Sequence, residues 1–129
     1  MGYTQEEKQR MHHLMKAFSG YVAAHKEIDV AYAEKTGYVR LIVAECADKV
    51  YFPIRDFDAM LQMFIEDVFA DEIFQVSLQN ENFRYSMVDF SKPCERLRAI
   101  LTTLDEDREY ALNKLDQYMQ HCREKYAES

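Results

Sequence analysis

The chain has 129 residues, 48% of them hydrophobic and 30% charged, which is enough for one globular domain with a sizeable core. Only three Gly, two Pro and no Trp occur, a composition that excludes collagen-like and low-complexity chains and favours long helices. The net charge of −7 repels phosphate backbones and anionic lipid headgroups. Neither nucleic acid nor a membrane surface is therefore expected as a partner.

The first predicted element is an amphipathic helix that begins at Thr4. Thr4 and Glu7 have the spacing of a capping box, in which each side chain satisfies a free amide at a helix start. Apolar side chains then recur at steps of three and four, which places them on one stripe of the helix. The stripe comprises Met11, Leu14, Met15, Phe18, Tyr21, Val22 and His25.

A small antiparallel sheet is predicted next. From Ile28 the apolar residues alternate, Lys35-Thr36-Gly37 supplies a turn, and Tyr38–Val43 is rich in β-branched residues. Val50–Ile54 reads as a third strand that ends or lies at an edge, because Pro53 cannot donate a ladder hydrogen bond. In a competing interpretation the first helix continues to about Lys35.

Asp56 is the predicted N-cap of a second, strongly apolar helix. Its apolar positions follow helical spacing: Phe57, Met60, Leu61, Phe64, Ile65, Val68 and Phe69. Residues 56–82, called the acidic segment below, contain seven Asp and Glu and no Lys or Arg, and they account for the whole excess of negative charge. Residues 75–90 fit neither helix nor strand clearly and are left as a connector.

The C-terminal part is predicted to be helical from Ser91-Lys92-Pro93, since a hydroxyl cap followed by proline is typical of a helix start. A seam of steps of three and four runs to the end of the pattern, through Leu97, Leu101, Leu104, Arg108, Ala111, Leu115, Tyr118 and Cys122. One helix of this length would be long, and Thr103 to Glu106 forms a second capping box. One helix and two antiparallel helices both remain open.

These elements predict an α+β fold in a single domain over 1–129: an N-terminal amphipathic helix, an antiparallel sheet of two or three strands, then a predominantly helical C-terminal half. The seam and the sheet edge would both offer surfaces for a homodimer. The three widely spaced cysteines, Cys46, Cys94 and Cys122, favour a reducing cytoplasm over a disulfide framework. No metal site and no cofactor is expected, because no ligand spacing or glycine-rich loop occurs.

The leading functional hypothesis is a non-enzymatic interaction or regulatory module. It would present an acidic helical face, formed by Glu66, Asp67, Asp71 and Glu72, to a basic protein partner. The absence of catalytic motifs makes an enzyme the less favoured class.

The alternative is a small enzyme or ligand sensor with a pocket between the sheet and the Phe-rich helix. The predicted lining consists of Tyr32, Tyr38 and Tyr51, with His25 or Cys94 as the polar group. Cys94 would sit in the first turn of a helix near two cations, a setting that favours the thiolate.

Overall fold

A computed structural model describes residues 4–19, 22–23, 26–31, 35, 38–43, 48–53 and 56–126. Its four long helices are α1 (Gln5–Phe18), α2 (Phe57–Gln79), α3 (Ser91–Leu101) and α4 (Arg108–Lys125). Two 3₁₀ segments, Tyr85–Met87 and Thr102–Asp107, precede α3 and α4. Inter-residue contacts cluster in two compact units, 1–61 and 62–129, which are described separately. That the chain is a single domain stays a prediction.

In the first unit, α1 begins where the capping box predicts. The Thr4 hydroxyl accepts a hydrogen bond from the Glu7 amide at 3.1 Å. The carboxylate of Glu7 accepts a hydrogen bond from the amide of Phe57 at 3.3 Å. It thereby satisfies one of the free amides at the start of α2. Arg10 lies over the Phe57 ring at 4.2 Å. The start of α2 is thus fixed by α1 as well as by its own cap, Asp56, whose Oδ1 accepts from Ala59 at 2.7 Å.

Helix α1 is shorter than the apolar stripe predicts. Met11, Leu14, Met15 and Phe18 are buried, but the helix ends at Phe18 and Val22 belongs to an extended segment. The stripe beyond Phe18, and the interpretation that carries this helix to Lys35, are therefore wrong. Ser19-Gly20 in the sequence explains the early end, because glycine is typical just after a helix C-terminus. Tyr21 and His25 lie outside the described residues.

Four short segments between α1 and α2 have antiparallel backbone pairing: β1 (Val22–Ala23), β2 (Lys26–Asp29), β3 (Tyr38–Val43) and β4 (Asp48–Pro53). They pair in sequence order. The register places Ile28 opposite Leu41 and Tyr38 opposite Pro53. Pro53 is the last residue of β4, a position where its missing amide costs no hydrogen bond within the strand. Pairing thus joins four segments where the sequence predicts two or three strands.

The predicted α+β class is nevertheless wrong for the part of the chain whose packing the structure describes. Every described core residue lies on a helix or in a turn between helices, and none lies on an extended segment. The part of the chain whose side-chain packing is described is all-α. Alternation and β-branched content indicate extended backbone locally, whereas the described core positions follow helical spacing.

In the second unit, the C-terminal pattern forms two helices. Helix α3 starts at Ser91 as predicted, but its N-cap is Phe90, which makes no side-chain cap hydrogen bond. The Asp89 carboxylate, one residue before the cap, accepts from the Ser91 amide at 3.1 Å. The break lies at the 3₁₀ segment Thr102–Asp107, where Asp105 has φ 51° and ψ −109°. The Thr103 hydroxyl donates to the Ile100 carbonyl at 2.7 Å and does not cap α4. Arg98 and Asp116 meet across the turn at 2.7 Å, so α3 and α4 run back along each other as a hairpin.

Candidate functional site: the outer side of helix α2

The acidic residues singled out in the sequence have different environments on α2. Glu66 is exposed, Asp67 and Glu72 are half-buried, and Asp71 is buried, with only 4% of its surface accessible. Asp71 is the one charged residue in the core that the structure describes. It therefore belongs to the interior, and only Glu66, Asp67 and Glu72 reach the surface.

Helix geometry separates these three residues further. Successive residues turn by about 100°, so Glu66 and Asp67 flank one side, whereas Glu72 projects about 120° away from Glu66 and about 140° away from Asp67. A partner that lies along one side of α2 reaches the first two carboxylates and not the third. The predicted face of four acids is thus reduced to the pair Glu66 and Asp67.

Apart from Ser77, the side of α2 that carries this pair is apolar. Phe74 is 42% exposed and Leu78 is 61% exposed, and the two are one helical turn apart. Below them on the same side lie Ala70, which is exposed, and Met63, which is half-buried. Met63, Asp67, Ala70, Phe74 and Leu78 follow steps of three and four and are called the outer stripe below.

The opposite side of α2 is an ordinary core face. Its side chains are almost completely buried: Phe57, Met60, Leu61, Phe64, Ile65, Val68 and Phe69. In the second unit the Phe69 ring packs edge-on against Tyr118 of α4 at 5.0 Å and lies 6.1 Å from the Phe90 ring. A helix that is apolar both towards the core and on its outer side is unusual for a surface helix, which normally turns charges outward.

Helix α4 borders the outer side next to Glu66. Burial raises the pKa of Tyr118 and of Cys122 above their usual values, and the nearby Glu66 carboxylate raises both further because it disfavours a second negative charge. The Cys122 residue is 1% exposed and lies next to Tyr118. It is therefore protonated and shielded at neutral pH, which makes it a core residue rather than a reactive thiol.

An aromatic cluster fixes the connector that the sequence leaves unassigned. Helix α2 continues to Gln79, and the 3₁₀ segment after it packs Tyr85 against Tyr126 at the end of α4, with ring centroids 4.2 Å apart. Tyr126 also stacks on Phe90 at 5.7 Å, and Phe83 contacts Tyr85 edge-on at 5.2 Å. The connector is thus held by ring packing that has no periodicity in the sequence.

The predicted pocket stays a prediction, because most of its lining side chains lie outside the part of the chain that the structure describes. Cys94 lies in the first turn of α3 as expected, but it is buried. The neighbouring Cys94 and Asp116 side chains raise the pKa of the Arg98 guanidinium, which lies one turn after Cys94. His25 and Tyr32 lie outside the described residues. Tyr38 and Tyr51 lie opposite different residues, Pro53 and Arg40, in the described backbone pairing.

The remaining features of the described ranges concern a pocket, a metal-binding group and a membrane-spanning helix. A shallow depression beside α1 is lined by Gln5, Lys8, Gln9, His12 and His13. Within the part of the chain that the structure describes, His, Cys, Asp and Glu side chains form no group of three that would suit a metal ion. No described helix is both long enough and apolar enough to cross a bilayer.

The outer stripe is the feature that sequence reasoning missed. In the sequence the stripe is visible only as the apolar pair Phe74 and Leu78. Phe74 comes five residues after Phe69, whereas the core positions of α2 are spaced by helical steps of three and four. The chain matches no known protein family, no curated protein and no solved structure.

Proposed function

We propose that this chain is a non-enzymatic interaction or regulatory module that captures a basic protein partner through the outer side of α2. The supporting observation is the combination of an exposed apolar pair with two acidic side chains on a helix that has no base. Monomeric surfaces rarely leave large apolar side chains together, and such patches mark interaction sites.

The distribution of charge supports a basic partner. All seven excess acids of the chain lie in the acidic segment, whereas Ser91–Lys125 carries seven Lys and Arg against seven Asp and Glu. A field of one sign over one helix raises the encounter rate with an oppositely charged protein, and it falls with added salt. Apolar contacts at Phe74 and Leu78 then supply binding free energy that salt does not screen.

Charge reversal tests this proposal. We expect the double substitution Glu66→Lys with Asp67→Lys to abolish capture of basic proteins from an extract of the source cells at low salt. Wild-type capture should be strong at about 50 mM salt and weak at about 500 mM, because the Debye length falls several-fold in between. Bound proteins are identified by mass spectrometry, and far-ultraviolet circular dichroism verifies that the variant is folded.

The matched control is Glu106→Lys with Glu124→Lys, which changes the net charge equally at exposed positions outside the acidic segment. This control should keep most of the capture. Equal capture by a folded Glu66→Lys, Asp67→Lys variant and by the wild type would contradict the proposal. So would an equal loss in the control, since overall charge and not α2 would then be responsible.

A further inference from the structure

The outer stripe has the geometry of a seat for one helix. From Met63 to Leu78 it runs about four turns, or about 22 Å along α2. The steps of four, three, four and four are close to a coiled-coil seam, in which each side chain fits between residues of a facing helix. An extended strand is a poor match, because the middle of a helix has no unpaired backbone groups to which a strand could add.

Exposure along the stripe increases towards its C-terminal end. Met63 is half-buried, Phe74 is 42% exposed and Leu78 is 61% exposed. The small side chain of Ala70 lies between these larger ones and lets a partner backbone approach closely. The anchoring contacts of a partner are thus expected at Phe74 and Leu78, one above the other at i and i+4.

Charge selects the occupant of the stripe. A second copy of this chain would bring its own Glu66 and Asp67 to the same interface, and the acidic segment has no Lys or Arg to offset the repulsion. A partner helix with Lys or Arg beside its apolar residues would instead place cations next to Glu66 at the border of the stripe. Buried like charges disfavour the first arrangement, and opposite charges favour the second.

We infer that the partner's binding element is a basic amphipathic helix of about four turns that lies along the outer stripe of α2. Its apolar side chains contact Phe74 and Leu78, and its Lys or Arg side chains face Glu66. This inference rests on the proposed function, and it adds the structural class of the partner segment.

Two 18-residue peptides of identical Leu and Lys composition provide the test with the full-length chain. In one the leucines share a helix face, and in the other they are permuted so that they do not. We expect the amphipathic peptide to bind about tenfold more tightly by fluorescence anisotropy, a difference of the size that one good apolar anchor contributes. Its helical circular dichroism should increase on binding.

Surface variants locate the contact. Phe74→Ser with Leu78→Ser should remove the preference for the amphipathic peptide, since both anchors are lost. Tyr110→Ser changes an aromatic residue on α4 that is 43% exposed, close to the value for Phe74, and should preserve the preference. A double variant that binds the amphipathic peptide as the wild type does would overturn the inference.

The peptide results separate this inference from the proposed function. Equal, salt-sensitive binding of both peptides would overturn the inference that the partner segment is an amphipathic helix. It would leave the proposed electrostatic capture of a basic partner in place. No binding of either peptide at low salt would overturn both. Sedimentation that shows a dimer of the wild type and a monomer of Phe74→Ser with Leu78→Ser would also overturn the inference, because a second copy would then occupy the stripe.

Discussion

The outer side of helix α2 and the outer side of the α3–α4 hairpin differ in their charged and apolar residues. The outer side of the hairpin mixes charges, with an Arg98–Asp116 ion pair at 2.7 Å and a Gln120–Glu124 hydrogen bond at 3.1 Å. Helix α2 carries acids and no Lys or Arg of its own, and its outer side has an exposed Phe74–Leu78 pair. A mixed-charge face needs only solvent, whereas an apolar face with one sign of charge suits a partner of opposite charge. The contrast teaches that α2 is the helix to test for binding.

The largest expected effect separates the two sides of α2. Phe69→Ala should lower the free energy of unfolding by about 3–5 kcal/mol, because the ring is fully buried and packs on Tyr118 and Phe90. Phe74→Ala, the matched control on the outer side, should cost less than about 1 kcal/mol. Urea denaturation followed by circular dichroism measures both. Similar losses for the two variants would show that Phe74 belongs to the core, and the outer stripe would lose its main anchor.

A smaller effect is expected at the turn of the hairpin. Asp105 has φ 51° and ψ −109°, close to the first central residue of a type II′ turn, which glycine adopts without strain. Both Asp105→Gly and Asp105→Ala remove the carboxylate, but only alanine keeps a Cβ in this conformation. The glycine variant should therefore be more stable than the alanine variant by about 1 kcal/mol.

Thermal unfolding of the two Asp105 variants measures that difference, and a pair of equal midpoints would show that the Cβ causes no strain. Asn113, an exposed residue inside helix α4, provides the control. There glycine should be less stable than alanine by about 1 kcal/mol, the ordinary helical order.

The smallest effect concerns the outer side of the hairpin. Arg98 and Asp116 are 50% and 57% exposed, so their ion pair is well solvated. A double-mutant cycle of Arg98→Ala and Asp116→Ala should give a coupling of about 0.2–1 kcal/mol that decreases with salt. Urea denaturation curves supply the four free energies of the cycle at low salt and again at high salt. A coupling several times larger would mean that this face, too, depends on specific electrostatics.

The sequence predicts some elements of the fold correctly and fails to predict others. Thr4, Asp56 and the first turn of α3 are predicted from local capping chemistry, and the structure confirms helix starts at all three places. The end of α1, the fold class and the route of residues 75–90 are not predicted. The aromatic contacts of Tyr85 with Tyr126 join residues far apart in the chain, and no local spacing records such a pairing.

The same limit applies to the candidate site. The acidic segment is visible as composition, so the sequence predicts Glu66 and Asp67 as partner-binding residues, and that role stays a prediction. The burial of Asp71 and the exposure of Phe74 depend on which side of α2 the rest of the second unit covers. Sequence periodicity measures angles around one helix axis, whereas exposure is a property of the neighbours.

The sequence by itself thus determined the helical starts, the apolar core stripe of α2 and the one-signed charge of 56–82. These follow from interactions within a few residues, which any conformation of the chain near those positions must respect. Only the tertiary structure decided that the described core is all-α, that the C-terminal pattern folds back at Asp105, and that Phe74 and Leu78 remain at the surface. Those outcomes depend on contacts between distant residues, which no local pattern specifies.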